Sequence, residues 1–288
     1  MEFLENGLIS IRINPKGAEL TSLYDKTSGT EYMWSGDPAF WGKHSPVLFP
    51  IVGTLKEDRY FFEGRSYQLG RHGFARDMTF SISSRTNNKI VFSIATDAAT
   101  LQHFPFDFRL EIGYELEEKK LTVSYRISNA GNGPMYFSIG GHPAFALPIE
   151  PGTRYEDYYL AFEKEEQAGR WPISKDGLIE TTPLPLLAGT KLELSKELFS
   201  KDALVFKHLH SSSVQLASGK TSKGFRFDFP GFPYLGIWAA KGADFVCIEP
   251  WCGIADSVNS NQDLTEKEGI NRLDAGALFE RSWCIELF

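Results

Sequence analysis

Along most of the chain, apolar residues alternate with polar ones, the period-two pattern of β-strands that bury one face. Helical periodicity is scarce. The single helix that the pattern predicts covers residues 195–205, where Ser195 precedes a short run of good helix formers. Alternation is clearest in residues 8–13, 89–95, 110–116, 121–129, 224–229 and 283–287. These segments predict an all-β protein with few short helices.

Turn signals between the segments indicate how the strands pair. Residues 117–120, Glu-Glu-Lys-Lys, join segments 110–116 and 121–129 closely enough for an antiparallel hairpin. No repeat, low-complexity tract or linker divides the chain, so residues 1–288 are expected to form one domain. Many short strands at close spacing are typical of two packed antiparallel sheets, and we predict a large antiparallel β-sandwich.

Composition narrows the class of protein. Hydrophobic residues make up 42% and charged residues 23% of the chain, enough apolar material for a core and unlike a disordered segment. The net charge is −7 and the basic residues form no run, so nucleic-acid binding is not expected. No apolar run approaches the roughly 20 residues of a membrane-spanning helix, which argues against a membrane protein.

The N-terminus and the cysteines indicate the compartment. The first residues include Glu2 and Glu5 and lack the basic and apolar regions of a secretory signal. Cys247, Cys252 and Cys284 are odd in number and have no Cys-x-x-Cys spacing, which argues against a disulfide framework and a structural zinc site. We therefore expect a cytoplasmic protein that holds no metal ion.

Three short motifs carry residues suited to chemistry. The first, residues 71–77, reads Arg-His-Gly-Phe-Ala-Arg-Asp and places His72 between Arg71 and Arg76 in a turn or strand edge. These side chains offer hydrogen bonds to a ligand, although an exposed basic loop would have the same composition.

The second motif, residues 136–145, is a predicted strand that runs into a Gly-Gly-His-Pro corner. Alternation places Tyr136, Ser138, Gly140 and His142 on one face, which is polar and has a small residue beside the histidine. A histidine that only satisfies the backbone of the corner is an equally good interpretation.

The third motif, residues 245–251, predicts a strand with Phe245, Cys247, Glu249 and Trp251 on one face. A carboxylate in such apolar surroundings loses hydration, so its pKa rises toward that of a useful general base. The alternative is an edge glutamate paired with a surface lysine or arginine.

Other signals are weaker. His208 and His210 alternate onto one face of a predicted strand, but two ligands without a third make a weak metal site. Trp238 is either a core residue or a platform for the C–H face of a sugar. The motifs of nucleotide-binding proteins, zinc proteases and serine hydrolases are absent from the sequence.

At these motifs the chain resembles the aldose 1-epimerase family, in its LacX-like branch. The resemblance is carried by His-Gly-Phe-Ala-Arg at 72–76, Gly-Gly-His-Pro-Ala-Phe at 140–145 and Ile-Glu-Pro-Trp at 248–251. Residues 104–108 and 273–278 also resemble the family, so the similarity is nearly full-length.

The resemblance implies a galactose mutarotase-like supersandwich with a sugar in an open cleft and no cofactor. It implies that Glu249 is the general base, that His142 is the general acid and that His72 binds the sugar ring. We expect Trp238 and Trp251 to contact the sugar as well. The partner is then a small-molecule sugar, and the chain is a monomer or a homodimer.

The chain departs from galactose mutarotases in one motif. Their Asn-Arg-Ile stretch is replaced by Phe-Pro-Ile-Val-Gly at 49–53, so the family arginine is absent and Arg76 is the candidate replacement. A family aspartate near the middle of the chain is matched with Asp157.

Mutarotation requires a base at O1 and an acid at the ring oxygen, and we expect the two groups on opposite sides of the sugar. Three alternatives stay open. A hexose-6-phosphate epimerase would add a phosphate clamp, for which the candidates are Arg71, Arg76, Lys56 and Arg59. A glycosidase would need a second carboxylate about 5–9.5 Å from Glu249. A non-catalytic sugar-binding protein would not need both His142 and Glu249. Acidic residues nearby and the acidic chain favour an unphosphorylated hexose.

Overall fold

The alternating segments form strands in the structure, a computed structural model that describes all 288 residues. The strands are β1 (Glu2–Glu5), β2 (Ile9–Asn14), β3 (Glu19–Asp25), β4 (Thr30–Glu31), β5 (Val47–Leu48), β6 (Arg59–Phe62), β7 (Arg65–Gln68), β8 (Ser81–Arg85), β9 (Lys89–Ala95), β10 (Phe108–Glu117), β11 (Lys120–Asn129), β12 (Met135–Phe137), β13 (Ile139–Gly141), β14 (Ala144–Ala146), β15 (Tyr158–Arg170), β16 (Leu184–Glu193), β17 (Leu204–Lys207), β18 (Ser213–Ser218), β19 (Phe225–Asp228), β20 (Tyr234–Trp238), β21 (Phe245–Cys252), β22 (Asn271–Leu273) and β23 (Leu278–Leu287). Short 3₁₀ helices cover Lys56–Asp58, Ala75–Asp77, Thr100–Gln102, Tyr155–Asp157, Lys196–Phe199 and Leu264–Glu266.

The largest sheet has nine antiparallel strands in the order β16-β15-β18-β19-β23-β11-β10-β9-β8. Its centre is the predicted hairpin, in which β10 and β11 pair from Phe108↔Asn129 to Glu117↔Lys120. Alternate residues of both strands are buried, among them Leu110, Ile112 and Val123, so one face of the sheet is apolar. The hairpin therefore forms as the sequence predicts, although its strands extend further and leave a two-residue turn.

The second main sheet has the order β17-β20-β21-β13-β5, with β14 also pairing with β21. Two adjacent glycines of β13 indicate what lies on its two faces. A Cβ at Gly141 would lie 2.8 Å from the Tyr125 hydroxyl of the nine-stranded sheet, whereas a Cβ at Gly140 would lie 2.7 Å from the Trp251 ring on the opposite face. The strand therefore has one face toward the large sheet and one toward Trp251.

The two main sheets face one another across the core. Phe145 of β14 and Phe225 of β19 meet with ring centroids 4.4 Å apart, and 69 buried apolar residues form one continuous cluster. Smaller sheets, β1-β2-β3-β4, β12-β22 and β6-β7, complete the strand pairing. The predicted all-β fold with large antiparallel sheets and few short helices is confirmed. No helix is long and apolar enough to cross a membrane.

The predicted helix at 195–205 is wrong. Only Lys196–Phe199 forms a 3₁₀ turn, and Asp202 has a left-handed backbone with φ +73°. The following residues form β17, whose Leu204, Val205 and Phe206 are fully buried and pair with β20. Pairing with a buried strand outweighs the modest helix propensity of such a short segment.

The predicted strand through the second motif is also interrupted. Ser138 lies between β12 and β13, which belong to different sheets, and its N–H donates to the Pro50 carbonyl at 2.7 Å. Alternation across the whole motif therefore fails, because the chain crosses from one sheet to another at this residue.

Candidate active site

A cavity of about 490 Å³ opens on the face of the six-stranded sheet that carries Trp251. Seven of the residues that the sequence singled out line it, namely Arg71, His72, Arg76, His142, Trp238, Glu249 and Trp251. The structure thus brings His72, His142 and Glu249 into one cleft, although they belong to separate segments of the chain. Their roles stay predictions.

Glu249 lies in the middle of β21, directly opposite Gly236 of β20. Gly236 leaves room for the Trp251 ring, which lies 2.5 Å from where a Cβ would be. His142 follows β13 and contacts Glu249, with its Nε2 atom 3.3 Å from the carboxylate Oε2. Both side chains are buried, with 10% and 2% of their surface exposed.

Burial disfavours charge on each member of this pair. It raises the pKa of Glu249 well above its usual value, and the nearby positive charge of Arg71 opposes this only in part. Burial also lowers the pKa of His142 to about 3. The two groups touch, so they titrate as a unit that holds one proton over a wide pH range.

The relative position of the two groups differs from the expectation of opposite sides. Glu249 and His142 lie side by side because Gly140, two residues before His142, pairs with Trp251, two residues after Glu249. Strand pairing therefore brings both side chains to the same face. Such a pair can reach O1 and the ring oxygen together, since both oxygens are bonded to C1.

His72 is held by two hydrogen bonds to Gly53. The backbone N–H of His72 donates to the Gly53 carbonyl at 2.9 Å, and the Gly53 N–H donates to the ring Nδ1 atom of His72 at 3.0 Å. His72 has a left-handed backbone, with φ +69°, which is uncommon for a residue with a Cβ. The two hydrogen bonds hold the His72 backbone in this otherwise unfavourable conformation and so fix the position of its ring.

An N–H donor faces each nitrogen of the His72 ring. Burial lowers the pKa of His72 well below its usual value, so the ring is neutral and has one acceptor nitrogen. The Gly53 N–H donates toward Nδ1 and the Arg71 Nε–H donates toward Nε2 at 3.2 Å, so the two donors compete for that one acceptor. Arg71 also lines the cavity, so a ligand oxygen there can accept from its guanidinium instead.

Arg76 supports this arrangement from the 3₁₀ turn Ala75–Asp77. One of its guanidinium N–H groups donates to the Arg71 carbonyl at 2.8 Å, while its buried Nε atom makes no hydrogen bond and lies 3.8 Å from the Asp77 carboxylate. Arg76 lies in the cavity wall, as expected for a replacement of the missing family arginine.

Four polar or aromatic residues of the cavity were missed from the sequence: Trp41, Phe199, Asp202 and Lys241. All lie in connections between strands, where alternation gives no signal. The left-handed Asp202 ends the turn before β17, and its side chain accepts from the Ala203 N–H at 2.7 Å. Asp202 is the second carboxylate that lines the cavity, after Glu249.

Asp157 is not among the residues that line the cavity. It belongs to the 3₁₀ turn Tyr155–Asp157, where its carboxylate accepts from the Arg154 N–H at 2.9 Å. Its matching with a sugar-binding aspartate has no support in the structure, because local turn geometry uses the side chain.

Two of the four proposed phosphate-clamp residues also lie elsewhere. Lys56 donates to the carbonyls of Val258 and Ser260, and Arg59 pairs with the exposed carboxylate of Glu57. Only Arg71 and Arg76 of that set line the cavity.

The histidine pair considered for a metal does not share a strand face. The strand β17 ends at Lys207, His208 has a left-handed backbone with φ +53°, and the exposed His210 lies in the following loop. The metal-ligating atoms that cluster most closely are those of His142, Cys247 and Glu249, within 4.8 Å of one another. Burial raises the pKa of the Cys247 thiol, so this set suits proton transfer better than metal binding.

Comparison with known proteins fits this geometry. The model of the family described as aldose 1-epimerase matches residues 3–268. The chain belongs to the aldose 1-epimerase family. It is 34% identical over 283 residues to the chromosomally encoded LacX protein of Lactococcus lactis subsp. lactis. The alignment covers 94% of this chain and 93% of LacX.

Solved structures of the family have the same fold. A galactose mutarotase related enzyme from Lactobacillus acidophilus has a TM-score of 0.93 and 34% identity, covering 100% of this chain and 97% of its own. A galactose mutarotase-like protein from Lactobacillus casei has a TM-score of 0.92 and 32% identity, covering 100% of both chains. The family and the fold together support an aldose epimerase activity in general.

Proposed function

We propose that this protein is an aldose 1-epimerase that interconverts the α and β anomers of a free hexose such as glucose or galactose. The observation that carries the proposal is the buried contact of His142 with Glu249, 3.3 Å apart, in the wall of the cavity. A binding protein would gain nothing from burying this pair, which costs free energy in the absence of function.

In this mechanism Glu249 removes the proton from O1 while the His142 imidazolium donates its proton to the ring oxygen. The C1–O5 bond breaks, and C1 becomes an aldehyde carbon. After rotation about C1–C2, the C5 hydroxyl attacks the other face of the aldehyde, and both protons return. The pair ends in its initial protonation state, so the cycle needs no net proton and no redox change.

His72 and Arg71 would orient the ring in this reaction. Arg71 donates to the His72 ring, and both side chains line the cavity, where they can form hydrogen bonds to sugar oxygens. Trp238 and Trp251 supply apolar surface for the C–H face of the sugar. These contacts suit a small-molecule sugar as the partner that binds in the cavity.

Substrate choice between free and phosphorylated hexose depends on the charges around the cavity. Arg71, Arg76 and Lys241 line it together with the carboxylates of Asp202 and Glu249. The two carboxylates offset part of this positive charge, and on that ground we propose the neutral sugar as substrate. Asp202 is also a candidate for the second carboxylate that a glycosidase would require, and the experiment includes that reaction.

The experiment is polarimetry of freshly dissolved α-glucose, α-galactose and their 6-phosphates with the purified protein. We expect catalysed mutarotation with a higher kcat/KM for a free hexose than for its 6-phosphate. A preference for the phosphate that disappears in Arg71→Ala or Arg76→Ala would instead identify a hexose-6-phosphate epimerase. Release of nitrophenol from nitrophenyl glycosides would identify a glycosidase, and binding without turnover a sugar-binding protein.

The pH dependence of kcat should show a broad plateau. At pH values below the lowered pKa of His142, about 3, the pair gains a second proton and loses its base. At pH values above the raised pKa of Glu249, it loses its only proton and with it the acid. Polarimetry corrected for buffer catalysis should therefore give a nearly constant kcat between these limits. A narrow maximum centred on the ordinary histidine pKa of 6.5 would contradict the shared-proton pair.

A further inference from the structure

The face of the His142 ring is covered by Trp41. The two rings are stacked, with centroids 4.9 Å apart and an interplanar angle of 26°. Trp238 forms a T-shaped pair with the same imidazole, at 5.7 Å and 88°. Of the two indoles, Trp41 is therefore the one that stacks on the imidazole ring.

Trp41 is itself held in place, although it lies in the long connection between β4 and β5. The Trp34 indole N–H donates to its carbonyl oxygen at 2.9 Å. Its ring stacks on Phe245 at 5.7 Å and meets Trp238 edge-on at 5.6 Å. The indole thus forms a fixed wall against which the imidazole rests.

We propose that Trp41 is a positioning residue that holds the His142 ring toward Glu249 and stabilises its imidazolium form. This inference rests on the proposed function, in which His142 is the acid. Trp41 acts through His142, and its effect is on the proton that His142 carries.

The other groups around His142 show why the π-face matters. Arg71 and Arg76 disfavour a positive charge on the imidazole, and burial disfavours it further. His72 approaches with its ring centroid 5.8 Å away and is neutral, and the nearby Cys247 thiol is protonated. A backbone hydrogen bond of His142, the Glu249 carboxylate and the Trp41 face favour the imidazolium.

A cation within about 6 Å of an indole centroid is attracted by the ring quadrupole, and the attraction is strongest where water is excluded. The imidazolium form of His142 meets both conditions. Loss of the π-face should therefore disfavour both the doubly protonated pair and the reactive form, in which His142 is charged and Glu249 is ionised. The contact between Trp41 and His142 should then control both kcat and the pH at which activity is lost toward acid.

The test compares Trp41→Leu, which keeps apolar bulk without a π-face, with Trp41→Phe, which keeps a smaller face. In Trp41→Leu we expect kcat to fall about tenfold and the acidic limb of the pH profile to move about one unit lower. Trp41→Phe should recover a large part of both effects. Phe40→Leu is the matched control, since Phe40 is a neighbouring exposed aromatic outside the cavity, and its kcat should be unchanged.

The outcomes separate this role from a purely structural one. If Trp41 only lines the cavity, Trp41→Leu raises KM and leaves the acidic limb of the pH profile unchanged, and the proposal is overturned. Equal losses of kcat in Trp41→Leu and Trp41→Phe at neutral pH overturn it as well.

A second measurement does not depend on turnover. The NMR signal of the His142 Cε1–H, assigned by its loss in His142→Asn, is followed toward acid while circular dichroism shows an intact fold. The downfield movement should be smaller in Trp41→Leu than in the wild type. An inactive wild type would contradict the proposed function, while this titration would still decide the role of Trp41. An identical downfield shift of the His142 signal in the wild type and in Trp41→Leu would refute the proposed role of Trp41.

Discussion

Replacing Glu249 with Gln should lower kcat for mutarotation by about 10²–10⁴-fold, the usual contribution of a general acid or base. Gln keeps the shape and volume of the side chain and cannot accept the O1 proton. Sugar affinity should stay within about an order of magnitude, because Gln fills the same space beside His142. Polarimetry gives kcat, and titration calorimetry gives the affinity.

His142→Asn is the companion variant and should show a similar loss of kcat. The double variant should be little worse than either single variant, since the pair acts as a unit. Mutarotation at the wild-type rate in either single variant would show that its assigned role is wrong.

Thermal denaturation supplies the control for folding of Glu249→Gln. Folding raises the pKa of Glu249, so the wild type loses stability as pH rises from the ordinary value of 4.5 through the raised one. Gln does not titrate, so its Tm should equal or exceed that of the wild type at pH 8. A lower Tm would mean that the loss of activity reflects damage to the fold.

The second large effect is expected at the buried ion pair of Lys267 and Asp256. Their side chains are 2% and 3% exposed, and Nζ lies 2.7 Å from Oδ1. Lys267 also donates to the Ile254 carbonyl, and the other oxygen of Asp256 accepts from the Lys56 N–H. Removing one partner leaves an uncompensated buried group, so Asp256→Ala should lower the free energy of unfolding by about 3–5 kcal/mol.

This loss is measured by urea denaturation, with the exposed pair of Lys191 and Glu193 as the matched control. Glu193→Ala should cost at most about 1 kcal/mol, because exposed ion pairs contribute little. The double variant Asp256→Leu/Lys267→Met should be more stable than Asp256→Ala, since it leaves no unpaired charge. A cost for Asp256→Ala as small as that of the control would show that the buried pair does not anchor this region.

That ion pair also helps to explain how the site is built. The Asp256 N–H donates to the Thr54 carbonyl at 2.9 Å, next to Gly53, which clamps His72. The neighbouring Ala255 lies where a Cβ at Gly53 would be, at 2.4 Å. The ion pair of Lys267 and Asp256, which lies outside the cavity, thus helps to hold the segment around Gly53 that lines it.

The sequence determined the parts of this protein that depend on local pattern. Period-two alternation is a property of a single strand with one buried face, so β9, β10 and β11 could be recognised without knowledge of their neighbours. The chemical identity of His72, His142 and Glu249 also needed no coordinates, because each lies in a short motif that resembles one family.

Pairing between distant segments was decided only by the tertiary structure. The segment 195–205 has helix propensity, but burial of Leu204 against β20 makes its end a strand. Ser138 interrupts a regular alternation because the chain changes sheets there. The side-by-side placement of His142 and Glu249 follows from the pairing of Gly140 with Trp251, which no local pattern contains.

The same reason explains the residues that were missed or misplaced. Trp41 and Asp202 lie in connections, whose conformation depends on what they pack against, and only the folded chain brings them to His142 and Glu249. Asp157 has a suitable side chain in a suitable part of the sequence, yet its own turn uses it. Residue type and the local alternation of apolar and polar residues can be read from the sequence. Which side chains meet in the site depends on long-range strand pairing, which only the folded chain shows.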